Sequence, residues 1–158
     1  MNAVAASRPR GAATLAAPSP ESAEATRAAR GAAPSDSLRV VCADDHAGFL
    51  MSVVDTLERA GMRVVGISST GPGAVETIRE VAPDVAVLDF RMPGLSGIEV
   101  ALTVRDRFPG TRTVILSAYA DPELMELALE SGAAAFVAKD SEPEDIVAAV
   151  RRAGGARP

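Results

Sequence analysis

A single lysine, a single cysteine, a single histidine, one tyrosine and no tryptophan occur in these 158 residues. Each scarcity excludes something. The lone Cys42 rules out an intramolecular disulfide and cannot build a metal cluster by itself, which points to a reducing cytosol. Its place inside an apolar run makes it a core residue. His46 has no second His or Cys nearby to share a metal and reads as a surface residue in the first turn of a helix. With four Phe and one Tyr, the core must be aliphatic and alanine-rich. No apolar run approaches the roughly 18 residues of a membrane span, and the N-terminus lacks the continuous apolar stretch of a secretory signal. The net charge of −5 argues against a nucleic-acid surface, which needs clustered cations to displace counterions.

The chain divides into a tail and a body. Residues 1–36 are built from Ala, Pro, Ser, Gly and Arg, and their only larger aliphatics are Met1, Val4 and Leu15. Such a segment cannot bury enough apolar surface to offset its ordering entropy, so a disordered tail is predicted there. The tail carries +1, which leaves −6 for the remainder. From Leu38 onward, short β-branched runs alternate with helical patterns: "LRVVCA" and "FLMSVVDTLERAG", "MRVVGIS" and "AVETIREVA", "DVAVLD" and "GIEVALTVRDRF", "TVILS" and "PELMELALESG", "AAFVA" and "PEDIVAAVRRAG". Strand–helix units of 20–30 residues require parallel strands joined by crossover helices. The runs are continuously apolar rather than alternating, as expected when helices cover both faces of the sheet. Leu50, Val53, Val54 and Leu57 mark the buried stripe of the first helix, and Val75, Ile78, Val81 and Ala82 that of the second. Gly61 and Gly132 end two helices. The fold predicted is a doubly wound (βα)5 domain over residues 38–153, followed by a short tail at 154–158.

In an open parallel sheet, ligands bind beyond the carboxyl ends of the strands, where the strand order reverses. The residues leaving the strands there are Asp44 and Asp45 after the first, Asp89 after the third, Ser117 after the fourth and Lys139 after the fifth. Ser68, Ser69 and Thr70 follow the second and read as caps for the next helix. Taken singly, each has an ordinary structural explanation: acids favour helix N-termini, and a strand-end hydroxyl or a surface lysine is common. Together they differ. Three crowded carboxylates repel and call for a hard divalent cation, for which Mg²⁺ suits an all-oxygen site. A carboxylate beside such a cation, faced by a hydroxyl and an ammonium, is equipped to form an acyl phosphate. Lysine fits this role as a compact charge on a flexible stem, where a planar guanidinium is wider. In a chain whose other fifteen basic residues are all arginine, that distinction gives Lys139 its interest.

The segments "VVCADDH", "VLDFRMPGLSGIE", "VILSAY" and "GAAAFVAKD" resemble the response-regulator receiver domain of bacterial two-component signalling, most of all receivers that precede a LuxR-type helix-turn-helix domain. The resemblance spans residues 38–153 and implies a flavodoxin-like sheet of order 2-1-3-4-5. It implies that Asp89 is the phosphoacceptor, that Asp45 binds Mg²⁺ directly and Asp44 mainly through water, and that the backbone carbonyl of Arg91 completes the metal site. It also implies Ser117 as the switch hydroxyl, Lys139 as its partner at the phosphoryl group, and Phe136 at the aromatic switch position, though a plain core role for Phe136 stays open. Pro93 and Gly94 shape the loop after the acceptor. The implied partners are a sensor histidine kinase or phosphotransfer protein, an output protein and a phosphorylation-dependent homodimer, with no membrane and no direct nucleic-acid contact from this chain.

Some positions depart from the common pattern. Asp140 rather than proline follows Lys139, Ala135 stands where glycine is frequent, and the first helix lacks the usual arginines. No output domain precedes Pro158, so the expectation is a stand-alone receiver, with a regulatory fragment of a LuxR-type transcription factor as the alternative. A haloacid-dehalogenase-type phosphatase would want a second Asp two residues after the nucleophile, where Arg91 stands. A flavin carrier would want a phosphate-cradling loop after the first strand, which is missing.

Overall fold

The computed structural model describes residues 37–155; the predicted tail at 1–36 and residues 156–158 lie outside the described residues. Five strands and five helices alternate: β1 (Arg39–Ala43), α1 (Ala47–Arg59), β2 (Arg63–Ser68), α2 (Gly71–Val81), β3 (Val85–Asp89), α3 (Gly97–Arg107), β4 (Arg112–Ser117), α4 (Pro122–Glu130), β5 (Ala135–Ala138) and α5 (Pro143–Gly155). The strands form one parallel sheet in the order β2-β1-β3-β4-β5. This is the flavodoxin-like arrangement expected.

The pleat sorts the strand residues between two cores. Val40, Cys42, Val85, Val87, Val114 and Leu116 face α1 and α5, where they meet Leu50, Val53, Val54, Leu57, Ile146 and Val150. Val41, Ala43, Ala86, Leu88 and Ile115 face the opposite way, toward Ala74 and Ile78 of α2, Ile98, Ala101 and Val104 of α3, and Ala128 of α4. Both faces of β1, β3 and β4 are therefore covered, which is why their sequences read as unbroken apolar runs. β2 and β5 are the edges and are only partly buried, with Ile67 half exposed. Burial pushes the Cys42 thiol up to about 12, with the charge of Glu58 adding to the effect. The cysteine is a core residue, as its apolar setting suggested.

The first helix buries the stripe Leu50, Val53, Val54 and Leu57, as read from its spacing. The second differs. It begins at Gly71, three residues earlier than its apolar pattern, and buries Ala74 and Ile78, with Val75 and Val81 at the margin of the core. The reason is close approach: Gly71 N donates to Pro93 O at 3.0 Å, and a side chain at Gly71 would collide with the backbone of Leu95. Thr70 caps this helix, its Oγ1 accepting from Gly73 N at 3.1 Å. Gly61 and Gly132 follow α1 and α4 with φ of +88° and +96°, the left-handed geometry that ends helices. The last helix runs to Gly155, one residue past its apolar pattern, with Gly154 packed closely against Leu38. Among the described residues, no helix is long and apolar enough to cross a membrane.

Candidate functional site at the carboxyl edge of the sheet

From β1 the chain runs outward to β2 on one side and to β3 on the other. The strand order therefore reverses between β1 and β3, and the two strands end side by side. Asp44 and Asp45 continue from β1, and Asp89 is the last residue of β3. One carboxylate oxygen from each, together with a ring nitrogen of His46, lie within 4.8 Å of one another. Asp44 and Asp89 are buried, whereas Asp45 and His46 are exposed. The turn into α1 holds Asp44 in place: His46 is the N-cap residue, and its amide donates to Asp44 Oδ1 at 2.8 Å. A side chain at Gly97 would collide with the Asp89 carbonyl, so the start of α3 can tuck directly beneath the end of β3. A capping box of Ser96 and Glu99 fixes that helix start.

Lys139 enters from the end of β5. Its Nζ lies 2.6 Å from Asp44 Oδ2 and 3.2 Å from Asp89 Oδ1, bridging the two buried carboxylates. The ammonium also sits 4.5 Å from the centroid of the Phe49 ring, on the first turn of α1. Even with Lys139 and the Arg91 amide pulling the other way, burial and then the Asp44 charge push the Asp89 carboxyl up to about 6. The site thus carries more negative charge than one lysine balances. An all-oxygen set of three carboxylates with that surplus fits a hard divalent cation.

The other expected residues fall around this centre. Arg91 N donates to Asp89 Oδ1 at 3.4 Å. Ser117 ends β4 next to β3, and its buried hydroxyl accepts from Tyr119 N at 3.2 Å. Lys139 N donates to Ser117 O at 2.7 Å, which ties the ends of β4 and β5 together. Phe136 stands apart from the carboxylates. It pairs with Ile115 and is half-buried against the α2–α4 core, one pleat below Ser117 on the same sheet face. A cleft of about 410 Å³ opens beside the carboxylates, lined by Asp45, Phe90, Arg91, Met92, Pro93, Gly94, Ser96 and Glu99. Tyr119 is exposed, with its ring 6.0 Å from the Arg91 guanidinium.

Two further neighbours border the site, one of them, Phe49, not singled out from sequence. His46 reads as a surface residue, and it is exposed, yet its Nδ1 lies 3.1 Å from Asp45 Oδ1. Phe49 lies at the edge of the α1 apolar stripe; the only hint was one of the chain's few aromatics placed four residues after the acidic pair.

Comparison with known proteins agrees with this fold. Residues 40–151 match the family described as "Response regulator receiver domain". The chain belongs to that family. Receiver domains are signalling modules, and the acceptor chemistry is general to them. Over 116 residues, 73% of this chain and 54% of its relative, the sequence is 44% identical to the "Probable transcriptional regulatory protein NarL" of Mycobacterium tuberculosis. It is also 30% identical to the "Chemotaxis protein CheY" of Thermotoga maritima, over 72% of this chain and 95% of that one. The solved signal receiver domain of the M. tuberculosis NarL superposes with a TM-score of 0.73 at 42% identity, covering 77% of this chain and 98% of that one. This receiver spans about half the length of the NarL relative it matches.

Proposed function

We propose that this receiver takes a phosphoryl group from a histidine kinase or phosphotransfer protein onto Asp89 in a Mg²⁺-dependent reaction, and signals by the change in shape that follows. The observation that carries the reading is the meeting of Asp44, Asp45, Asp89 and Lys139 at the β1/β3 switch point. An Asp89 oxygen attacks phosphorus, the bond from phosphorus to the donor breaks, and the donor leaves with its electron pair. Asp44, Asp45, Asp89 and the Arg91 carbonyl would hold the cation. Bound there, it would neutralise the crowded carboxylates and draw charge from the phosphoryl oxygens. Lys139 moves from its bridge between carboxylates to a phosphoryl oxygen, and Ser117 turns its hydroxyl from the Tyr119 amide toward another. Phe136 stands opposite Ile115, two residues below Ser117 on the neighbouring strand, so a shift of Ser117 would be passed to the ring along β4. Incubation with acetyl phosphate and Mg²⁺, followed by intact-mass measurement, tests the reading. One phosphoryl group should be gained by the wild type, and none by Asp89→Asn or in the presence of EDTA. Modification of Asp89→Asn at the wild-type rate would sink the assignment.

Arg91 and Tyr119 should govern how long the acyl phosphate survives rather than how fast it forms. Both sit two residues beyond a site residue, and their side chains lie together, the Arg91 guanidinium 6.0 Å from the Tyr119 ring. Replacing both with smaller polar residues should change the hydrolysis rate severalfold in a decay assay, leaving formation within about twofold. An unchanged lifetime would remove them from the mechanism.

The segment 1–36 is proposed to be dispensable for folding and phosphorylation, since it has few large apolar residues. Deleting it should leave both the melting temperature and the acetyl-phosphate rate unchanged. Loss of several kcal/mol would show that it packs.

A second reading has its own support. The name of the NarL relative describes a transcriptional regulator, and the match covers about half of that protein. In this reading the receiver is the regulatory part of a DNA-binding regulator and controls a DNA-binding region. Retardation of DNA by the 158-residue chain itself would favour it; the acidic body favours signalling through protein contacts.

A further inference from the structure

We infer that Phe49 is a positioning residue for Lys139, holding the ammonium at the acceptor site through the face of its ring; this rests on the reading of Asp89 as phosphoacceptor. Lys139 sits at the end of a four-residue edge strand, on a flexible stem with many rotamers. Three groups surround its charge: Asp44 at 2.6 Å, Asp89 at 3.2 Å and the Phe49 ring at 4.5 Å. The first two are the carboxylates that the reaction itself recruits, so neither can keep the lysine in place throughout. The ring is the contact that does not change its chemistry. It is anchored as well: Phe49 packs against the α1/α5 core cluster and follows the N-cap His46, whose amide is fixed by Asp44. The Lys139 side chain is only 15% exposed, so its attraction to the ring is weakly screened. Phe49 thus keeps the ammonium aimed at the place where a phosphoryl oxygen on Asp89 must lie, and excludes water from its other side.

The test uses Phe49→Leu, which keeps most of the apolar volume but removes the ring, and Phe49→Tyr, which keeps the ring. Acetyl-phosphate kinetics with Mg²⁺ on the full chain should show Phe49→Leu slower by about threefold to tenfold and Phe49→Tyr close to wild type. A second readout needs no reaction. Because Lys139 is the sole lysine, isotope-labelled lysine gives one set of signals, and its ε-methylene should be shifted upfield by the ring. That shift should vanish in Phe49→Leu and persist in Phe49→Tyr. In a Lys139→Ala background, Phe49→Leu should slow the reaction no further. A wild-type rate in Phe49→Leu, an unshifted ε-methylene in the wild type, or a full additional loss in the Lys139→Ala background each overturns the role of Phe49 while leaving Asp89 as acceptor. A wild-type chain that takes no phosphoryl group on Asp89 overturns the acceptor reading, and the role of Phe49 with it.

Discussion

Asp89→Asn is expected to stabilise the metal-free domain by about 1–3 kcal/mol near pH 8, and by almost nothing near pH 4. The sign follows from Asp89 holding its proton more tightly when folded than its ordinary value near 3.8 allows, because burial and then the Asp44 charge push it to about 6. Below the unfolded value the carboxyl is protonated in both states and costs nothing. As pH rises through the window between 3.8 and about 6, the unfolded chain ionises first and gains relative to the fold. Above that window the folded domain carries the whole cost of an ionised, crowded carboxylate. Asparagine removes that charge and keeps the shape. Urea unfolding in EDTA at several pH values would measure it. Mg²⁺ should narrow the gap by stabilising the wild type more than the variant. A variant less stable than wild type at pH 8, or a difference that does not vary with pH, would show that Asp89 is not strained in the free domain.

Lys139→Arg should leave folding near normal and cut phosphoryl transfer to Asp89 by about tenfold to a hundredfold. Composition says the opposite, since every other basic residue is already arginine. Geometry decides. The Lys139 ammonium is enclosed by Asp44, Asp89 and Phe49, and a planar guanidinium is too wide to take the same place without displacing one of them. Stability should hold because the residue leaves the end of β5, outside both cores. Thermal melts and acetyl-phosphate kinetics on one preparation would test both halves. A wild-type rate would make the lone lysine an accident of composition.

Most of the framework was legible because its causes are local and repeated. Strand and helix alternation in the chain dictates a parallel sheet, and parallel strands must bring Asp44, Asp45, Asp89, Ser117 and Lys139 to one edge. What escaped depends on how elements sit on one another. The burial of Ala74 at the expense of Val75 follows from the close approach of α2 to the loop around Pro93, which no periodicity encodes. The partial exposure of β2 and β5 follows from their edge positions, which their apolar content concealed. The Lys139–Phe49 contact joins residues ninety positions apart and depends on how the first turn of α1 lies over the site. The bridge from Lys139 to Asp44 was missed because the chemistry expected of that lysine lay with the phosphoryl group, not with the carboxylate that holds it beforehand.

Cys42 gives the domain a built-in clock. Its thiol is sealed beneath α1 and α5 and stays un-ionised at ordinary pH, so an alkylating reagent can reach it only when those helices lift away or the sheet itself comes apart. With no other sulfhydryl in the chain, the rate of its capture counts openings of this core under native conditions, without denaturant. A cysteine placed on the surface for a fluorophore would react long before the native one, so reporters can be attached while the interior is left as it is.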